Sequence, residues 1–208
     1  MDDVGFEYRI EGLLYEYLEN IKPLLTEIRS RVKEQDSKLL GLNNEIRALN
    51  DHIARCYREG ATDENRHDEI KHAREHYQRL FYDCFKLLNV NIYQIIEKKT
   101  NQSFSPYWLK FNNGQFWEKY DETLYLARSE EKQAKIAESI DSYKACEHYN
   151  KAYLAYRQIE ELLKDNESML RKSRLLKIKN KLVGGGRWLL WTLGLSIVSG
   201  LLTYLVGN

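Results

Sequence analysis

From Gln115 to Val183 the chain contains neither glycine nor proline. No other feature narrows its folding options as much, because the two strongest breakers of regular structure are missing. As one continuous helix this stretch would be about 100 Å long. The polar tracts at 128–132 and 164–168 therefore read as turns, with Ser129 and Ser168 as possible helix caps. Only two prolines occur in all 208 residues, and there is no spaced set of turn residues between short alternating strands. The sequence predicts an all-α protein: a helical bundle with coiled-coil-like seams and one C-terminal transmembrane helix.

Apolar spacing supports this segment by segment. Phe6, Ile10, Leu13, Tyr17, Ile21, Leu24 and Ile28 step by three and four, with Pro23 placed to kink or restart the helix. Leu39, Leu42, Ile46, Leu49, Ile53 and Cys56 form a narrow seam that ends at Gly60. A third helix begins at Thr62 or Asp63 and shows a wider face, including Ile70, Ala73, Tyr77, Leu80, Phe81, Cys84, Phe85, Leu88, Ile92 and Ile95, as a central helix would. Residues 101–114 hold Phe104, Tyr107, Trp108 and Phe111 around Pro106, an aromatic loop expected to pack as a cap. Beyond it the apolar line continues through Phe116, Tyr120, Leu124, Ile136, Ile140, Tyr143, Cys146, Tyr149, Tyr153, Tyr156, Leu163 and Leu170. The expected helices span about 4–34, 38–58, 63–99, 115–128, 130–164 and 168–183, all in one cytoplasmic bundle over 1–183. Cys56, Cys84 and Cys146 are odd in number and far apart, which excludes a disulfide framework and a zinc ribbon.

Residues 188–206 are free of charge and proline. As a helix they would span about 28 Å, against a bilayer core of roughly 30 Å. Trp188 and Trp191 at one end and Tyr204 at the other suit interfacial aromatic belts. Only Gly207 and Asn208 follow, so the run is expected to act as a tail anchor, and the acidic start MDDVGFEYR does not resemble a secretory signal. Upstream, Arg171, Lys172, Arg174, Lys177, Lys179, Lys181 and Arg187 form a basic collar without an acid. The positive-inside rule then keeps the N-terminal domain cytoplasmic, and the collar is expected to contact anionic headgroups. Set aside from the formal charge of +1, these seven leave a remainder of −6, which argues against a general nucleic-acid binder. Gly184 to Gly186 precede Arg187, and residues 184–187 read as a hinge. Thr192, Ser196 and Gly200 recur every fourth residue, a small-residue stripe suited to self-association in lipid.

The chemical motifs are sparse. His72, Glu75 and His76 satisfy H-x-x-E-H, with Glu147 as a conceivable third zinc ligand, but the charged surroundings favour a solvated helix face, and no metal or other cofactor is expected. Phosphate-binding glycine loops, a nucleophile elbow and an EF-hand pattern are absent from the sequence. Arg66-His67-Asp68-Glu69-Ile70-Lys71-His72 resembles the R-x(4–6)-H motif of the HEPN ribonucleases. That resemblance implies a composite site between two protomers in which Arg66 stabilises phosphoryl charge and His72 transfers a proton, and hence an RNA substrate. It departs from the family pattern in position, since the motif here opens the third of about six helices. The order of helices followed by an anchor is also similar to a SNARE, although Tyr149 and Asn150 stand where its buried Gln or Arg layer would fall.

The expectation from sequence is a single-pass, tail-anchored protein of the bacterial inner membrane that acts by homo-oligomerisation and binding of a protein partner. Its architecture suits a membrane-perturbing effector of antiphage defence. A membrane-tethered HEPN-like ribonuclease and a passive, SNARE-like scaffold are the alternatives, and an enzyme is expected only under the first of these.

Overall fold

The computed structural model describes residues 3–32 and 37–180. Within them the chain is all-helical, with no strand. Helix α1 (Asp3–Glu16) passes through a π-turn (Tyr17–Ile21) into α2 (Lys22–Arg31). Then follow α3 (Ser37–Cys56), α4 (Asp63–Ser103), the short α5 (Pro106–Lys110), a 3-10 turn (Phe111–Gly114), α6 (Gln115–Ala137), α7 (Ser142–Asp165) and α8 (167–180). The expected hinge at 184–187, the apolar run 188–206, and Lys181 lie outside the described residues. Among the described residues no helix is long and apolar enough to cross a membrane.

The described residues fall into two compact units. The first is Met1–Ile96 with Asp121–Glu161, and the second is Glu97–Tyr120 with Leu162–Asn208.

In the first unit the periodic seams become the core. Leu13, Ile21 and Ile28 from the first segment pack with Leu42 and Leu49 of α3 and with Leu80, Cys84 and Leu88 of α4. Phe6, Ile10, Cys56 and Ile70 form a smaller cluster. The partner of the narrow α3 seam is thus within the chain. Pro23 acts through the backbone: without an N–H it cannot bond the Glu19 carbonyl, and the preceding turn widens so that Lys22 N–H donates to Tyr17 O, five residues back. Gly60 ends the α3 turn at φ +77°, and Thr62 caps α4 by accepting from the Asn65 N–H at 3.2 Å.

The last helical hairpin departs from the expected line. α6 runs unbroken through 128–132 and stops at 138–141, where Asp141 Oδ1 accepts from the backbone N–H groups of Tyr143 and Lys144 at 3.0 and 3.2 Å. Ile136, Ile140 and Tyr143 are exposed, the last two at 79%. Phe116, Tyr120, Tyr149, Tyr156 and Leu163 are buried as the line predicts, and beside them Ala127 and Ala134 on α6 and Ala145, Ala152 and Ala155 on α7 are buried where it did not place a core. Small side chains permit close helix approach, and the polar residues beside them bond across: His148 Nδ1 lies 2.6 Å from Glu130, Tyr156 donates to Glu131 at 3.0 Å, and Tyr149 donates to Glu138. The second predicted interruption falls at Asn166, whose side chain donates to the Leu162 carbonyl at 2.8 Å.

The second unit is built around Trp108, which is fully buried. Phe116 and Tyr120 meet its ring edge-on at 5.1 and 5.6 Å, and Phe104 approaches at 5.7 Å. The aromatic loop therefore packs, as its composition implied. Asn112, Asn113 and Gly114 turn the chain through consecutive positive φ angles of 49°, 55° and 86°, residue types that tolerate this region best. Ser173 of α8 donates to the Ser103 carbonyl and shares a second bond with the Ser105 hydroxyl, both at 2.6 Å.

Candidate functional site

A concavity lies wholly in the first unit, between α1 with its π-turn, α4 and α7. Its volume is about 490 Å³, within the range of roughly 300–1,000 Å³ typical of small-molecule sites. Tyr77, Phe81 and Phe85 line it from successive turns of α4, with ring centroids 6.0 and 5.2 Å apart. Four-residue spacing puts them on one face, and α1 and α7 leave that face partly uncovered. Glu16 precedes the π-turn and Asn20 lies within it, and both border the cleft, where Asn20 donates to the Tyr77 hydroxyl at 3.3 Å.

α7 supplies Ser142, Tyr143, Cys146, Glu147 and Asn150. Ser142 donates to Gln78 Oε1 at 3.1 Å across the cleft. Each charged group has a partner: Arg74 pairs with Glu16 at 3.5 Å, and Glu147 with Lys151 at 2.7 Å. The Lys151 hydrogen bond holds the Glu147 carboxyl below the usual carboxylate range. Burial pushes the Cys146 thiol up to about 12, and that of neighbouring Cys84 higher still, so both remain protonated at neutral pH and neither is an activated nucleophile. The arrangement is suited to binding rather than covalent chemistry.

A smaller cavity of about 260 Å³ lies between α3 and α4, near Gly41, Asp83 and Lys86. Burial raises the Asp83 carboxyl even though Lys86 stands 3.6 Å away.

The residues singled out from the HEPN-like motif sit in separate surroundings. Arg66 stacks over Phe6 of α1 at 4.9 Å and pairs with Asp63 at 3.7 Å. His72 points toward α3, its ring 5.3 Å from that of His52 and its Nδ1 3.6 Å from Glu75. Six helical residues separate Arg66 and His72 by about 9 Å along the axis and about 120° around it, so one chain does not bring them together. His52 and His76 are each held at Nδ1 by a carboxylate, Glu69 at 2.5 Å and Glu45 at 2.7 Å. Among the described residues no group of three or more His, Cys, Asp or Glu side chains is placed to hold a metal.

In the described part of the basic collar Arg171, Lys172, Lys177 and Lys179 are exposed, three of them with a partner in the chain. Lys177 donates to the Asn101 carbonyl at 2.7 Å, Lys172 lies over the Tyr107 ring at 5.7 Å, and Arg171 pairs with Glu167 at 3.5 Å. Arg174 is half-buried with its Nε enclosed, while Lys179 is exposed. Arg187, Trp188, Trp191, Thr192, Ser196, Gly200 and Tyr204 lie outside the described residues. Tyr77 and Phe85 are core residues, as their spacing predicts, with Phe81 packed against them, and sequence reasoning missed only that α1 and α7 leave a cleft beside them. The only local signal was the proline that follows the π-turn.

No protein-family model, curated protein or solved structure matches this chain.

Proposed function

We propose that the protein is a membrane-bound helical bundle, fixed by a single apolar helix at 188–206, that acts by self-association and by binding a protein partner. The observation that carries this reading is the uncharged run itself, preceded by seven cationic residues over 171–187 with no acid among them. The helices before it face the cytoplasm, and Trp188, Trp191 and Tyr204 sit at the two lipid interfaces. The exposed part of the collar, with Lys179 nearest the run among the described residues, meets anionic headgroups. Self-association runs along Thr192, Ser196 and Gly200, since small side chains let helix backbones approach in lipid. In a bacterium, an assembly of this kind suits an effector that compromises the inner membrane when phage infection triggers clustering.

The test is cross-linking in isolated membranes, read together with growth on induction. Ser196→Leu with Gly200→Leu should abolish both the cross-linked ladder and toxicity. A double Arg66→Ala, His72→Ala variant should change neither. A ladder that survives the first pair, or toxicity lost with the second, contradicts the proposal.

A further inference from the structure

The cleft between α1, α4 and α7 offers an aromatic wall, an amide-rich rim and no uncompensated charge. We propose that it binds a neutral planar heteroaromatic of the nucleobase or nucleoside class, independently of how the chain meets a membrane. Size permits a ligand of this class. The half-buried Phe81 and the exposed Tyr143 provide stacking surface, with the buried Tyr77 and Phe85 as the floor behind them, and stacking of a base on an aromatic side chain is worth about 1–3 kcal/mol.

The rim determines the polar character of the ligand. Three carboxamides, Asn20, Gln78 and Asn150, border the cleft with the Ser142 hydroxyl. A carboxamide presents a donor and an acceptor side by side in one plane, the complement of the adjacent donor and acceptor on a base edge. Asn20 is directed toward Tyr77, and Gln78 accepts from Ser142 through Oε1, which leaves its Nε2 for a ligand acceptor. Asn150 is exposed at the rim.

Charge excludes the neighbouring ligand classes. An anionic group such as a phosphate would approach the carboxylates of Glu16 and Glu147, and the nearest cation, Arg74, is already paired with Glu16. An ammonium ligand finds both carboxylates compensated, by Arg74 and by Lys151, and would have to displace one of them. Only a ligand without net charge leaves these pairs undisturbed while using the amides.

The experiment is saturation-transfer NMR on the full-length protein in detergent, with adenosine, guanosine, cytidine and uridine as probes, adenosine 5′-monophosphate as the anionic control and tyramine as the cationic one. At least one nucleoside should bind. The monophosphate should bind more weakly than adenosine by about tenfold, and tyramine no better than the best nucleoside. Asn150→Leu and Gln78→Leu should each weaken nucleoside binding by about tenfold, the loss of one polar pair. Asn150 is exposed, so its replacement should leave the melting temperature unchanged, and a melt of that variant separates loss of binding from loss of fold. The proposal is overturned if no nucleoside binds at millimolar concentration to folded protein, if the monophosphate or tyramine binds more tightly, or if both variants retain full affinity.

Discussion

Arg31 at the end of α2 grips Glu160 of α7 through two parallel hydrogen bonds, Nη1 to Oε1 and Nη2 to Oε2, each 2.9 Å long. The two positions are 129 residues apart in sequence, and the fork geometry of the guanidinium fixes the angle between the helices as well as their distance. Glu27 completes the group: it accepts from Arg31 at 2.8 Å and from the Tyr153 hydroxyl at 2.5 Å. Both side chains are largely withdrawn from water, and removal of Glu160 takes two of the three hydrogen bonds from Arg31 and leaves it with Glu27 alone. Glu160→Leu should therefore cost about 1–3 kcal/mol, measured by urea unfolding, whereas Glu147→Gln at the exposed Lys151 pair should cost under about 1 kcal/mol.

The same pair sets an acid limb. The hydrogen bonds and charge of Arg31 hold Glu160 below its ordinary value. Glu138, despite burial that pushes it up, is held down by bonds from Tyr149 and Lys86. A carboxyl whose folded pKa is depressed contributes stability that is complete above its unfolded value of about 4.3 and is lost as pH falls through the lower folded value. Asp83, raised by burial, works in the opposite sense over the same region. Thermal melts of the wild type should fall steeply below about pH 4.3, and the fall should be shallower in a Glu160→Gln, Glu138→Gln double variant. Equal slopes would contradict the assignment.

The seams of α1 to α4 were legible because large apolar residues at three- and four-residue spacing have no better place than a core, and Leu42, Leu49 and Cys56 are buried where the period puts them. The hairpin of α6 and α7 was legible only in part: Tyr149 and Tyr156 are buried as the spacing predicts, and the rest was hidden for two reasons. Alanine carries little hydrophobic signal, so Ala127, Ala134, Ala145 and Ala152 were passed over in favour of Ile136, Ile140 and Tyr143, which face solvent. The charged tract at 128–132 read as a turn, but Glu130 and Glu131 find partners on α7, and a bond across helices is invisible in local sequence. Asp141, two residues before Tyr143, was the local stop signal. The cleft depends on how far α1 and α7 leave α4 uncovered, a tertiary quantity with no local signature.

Replacing Ala134 or Ala152 by Leu should destabilise the fold by about 1–3 kcal/mol through overpacking, since both are fully buried between helices that approach closely. Ile136→Ala, at an exposed site, should change stability by less than about 0.5 kcal/mol. Chemical denaturation of the three variants separates the alanine seam from the apolar line read off the sequence.

Gly114 has φ +86° and follows two asparagines that also adopt positive φ. Its substitution by alanine should cost about 1–2 kcal/mol from backbone strain, because a Cβ there meets the Leu109 carbonyl at an unstrained 3.5 Å. A fluorescence melt that follows the Trp108 and Trp117 cluster should register the change.

Membrane anchoring through 188–206 is tested most directly by alkaline carbonate extraction of membranes that contain the full-length chain. The protein should remain in the pellet after the wash and enter the supernatant only when detergent dissolves the bilayer. Recovery in the supernatant without detergent would contradict an anchored bundle.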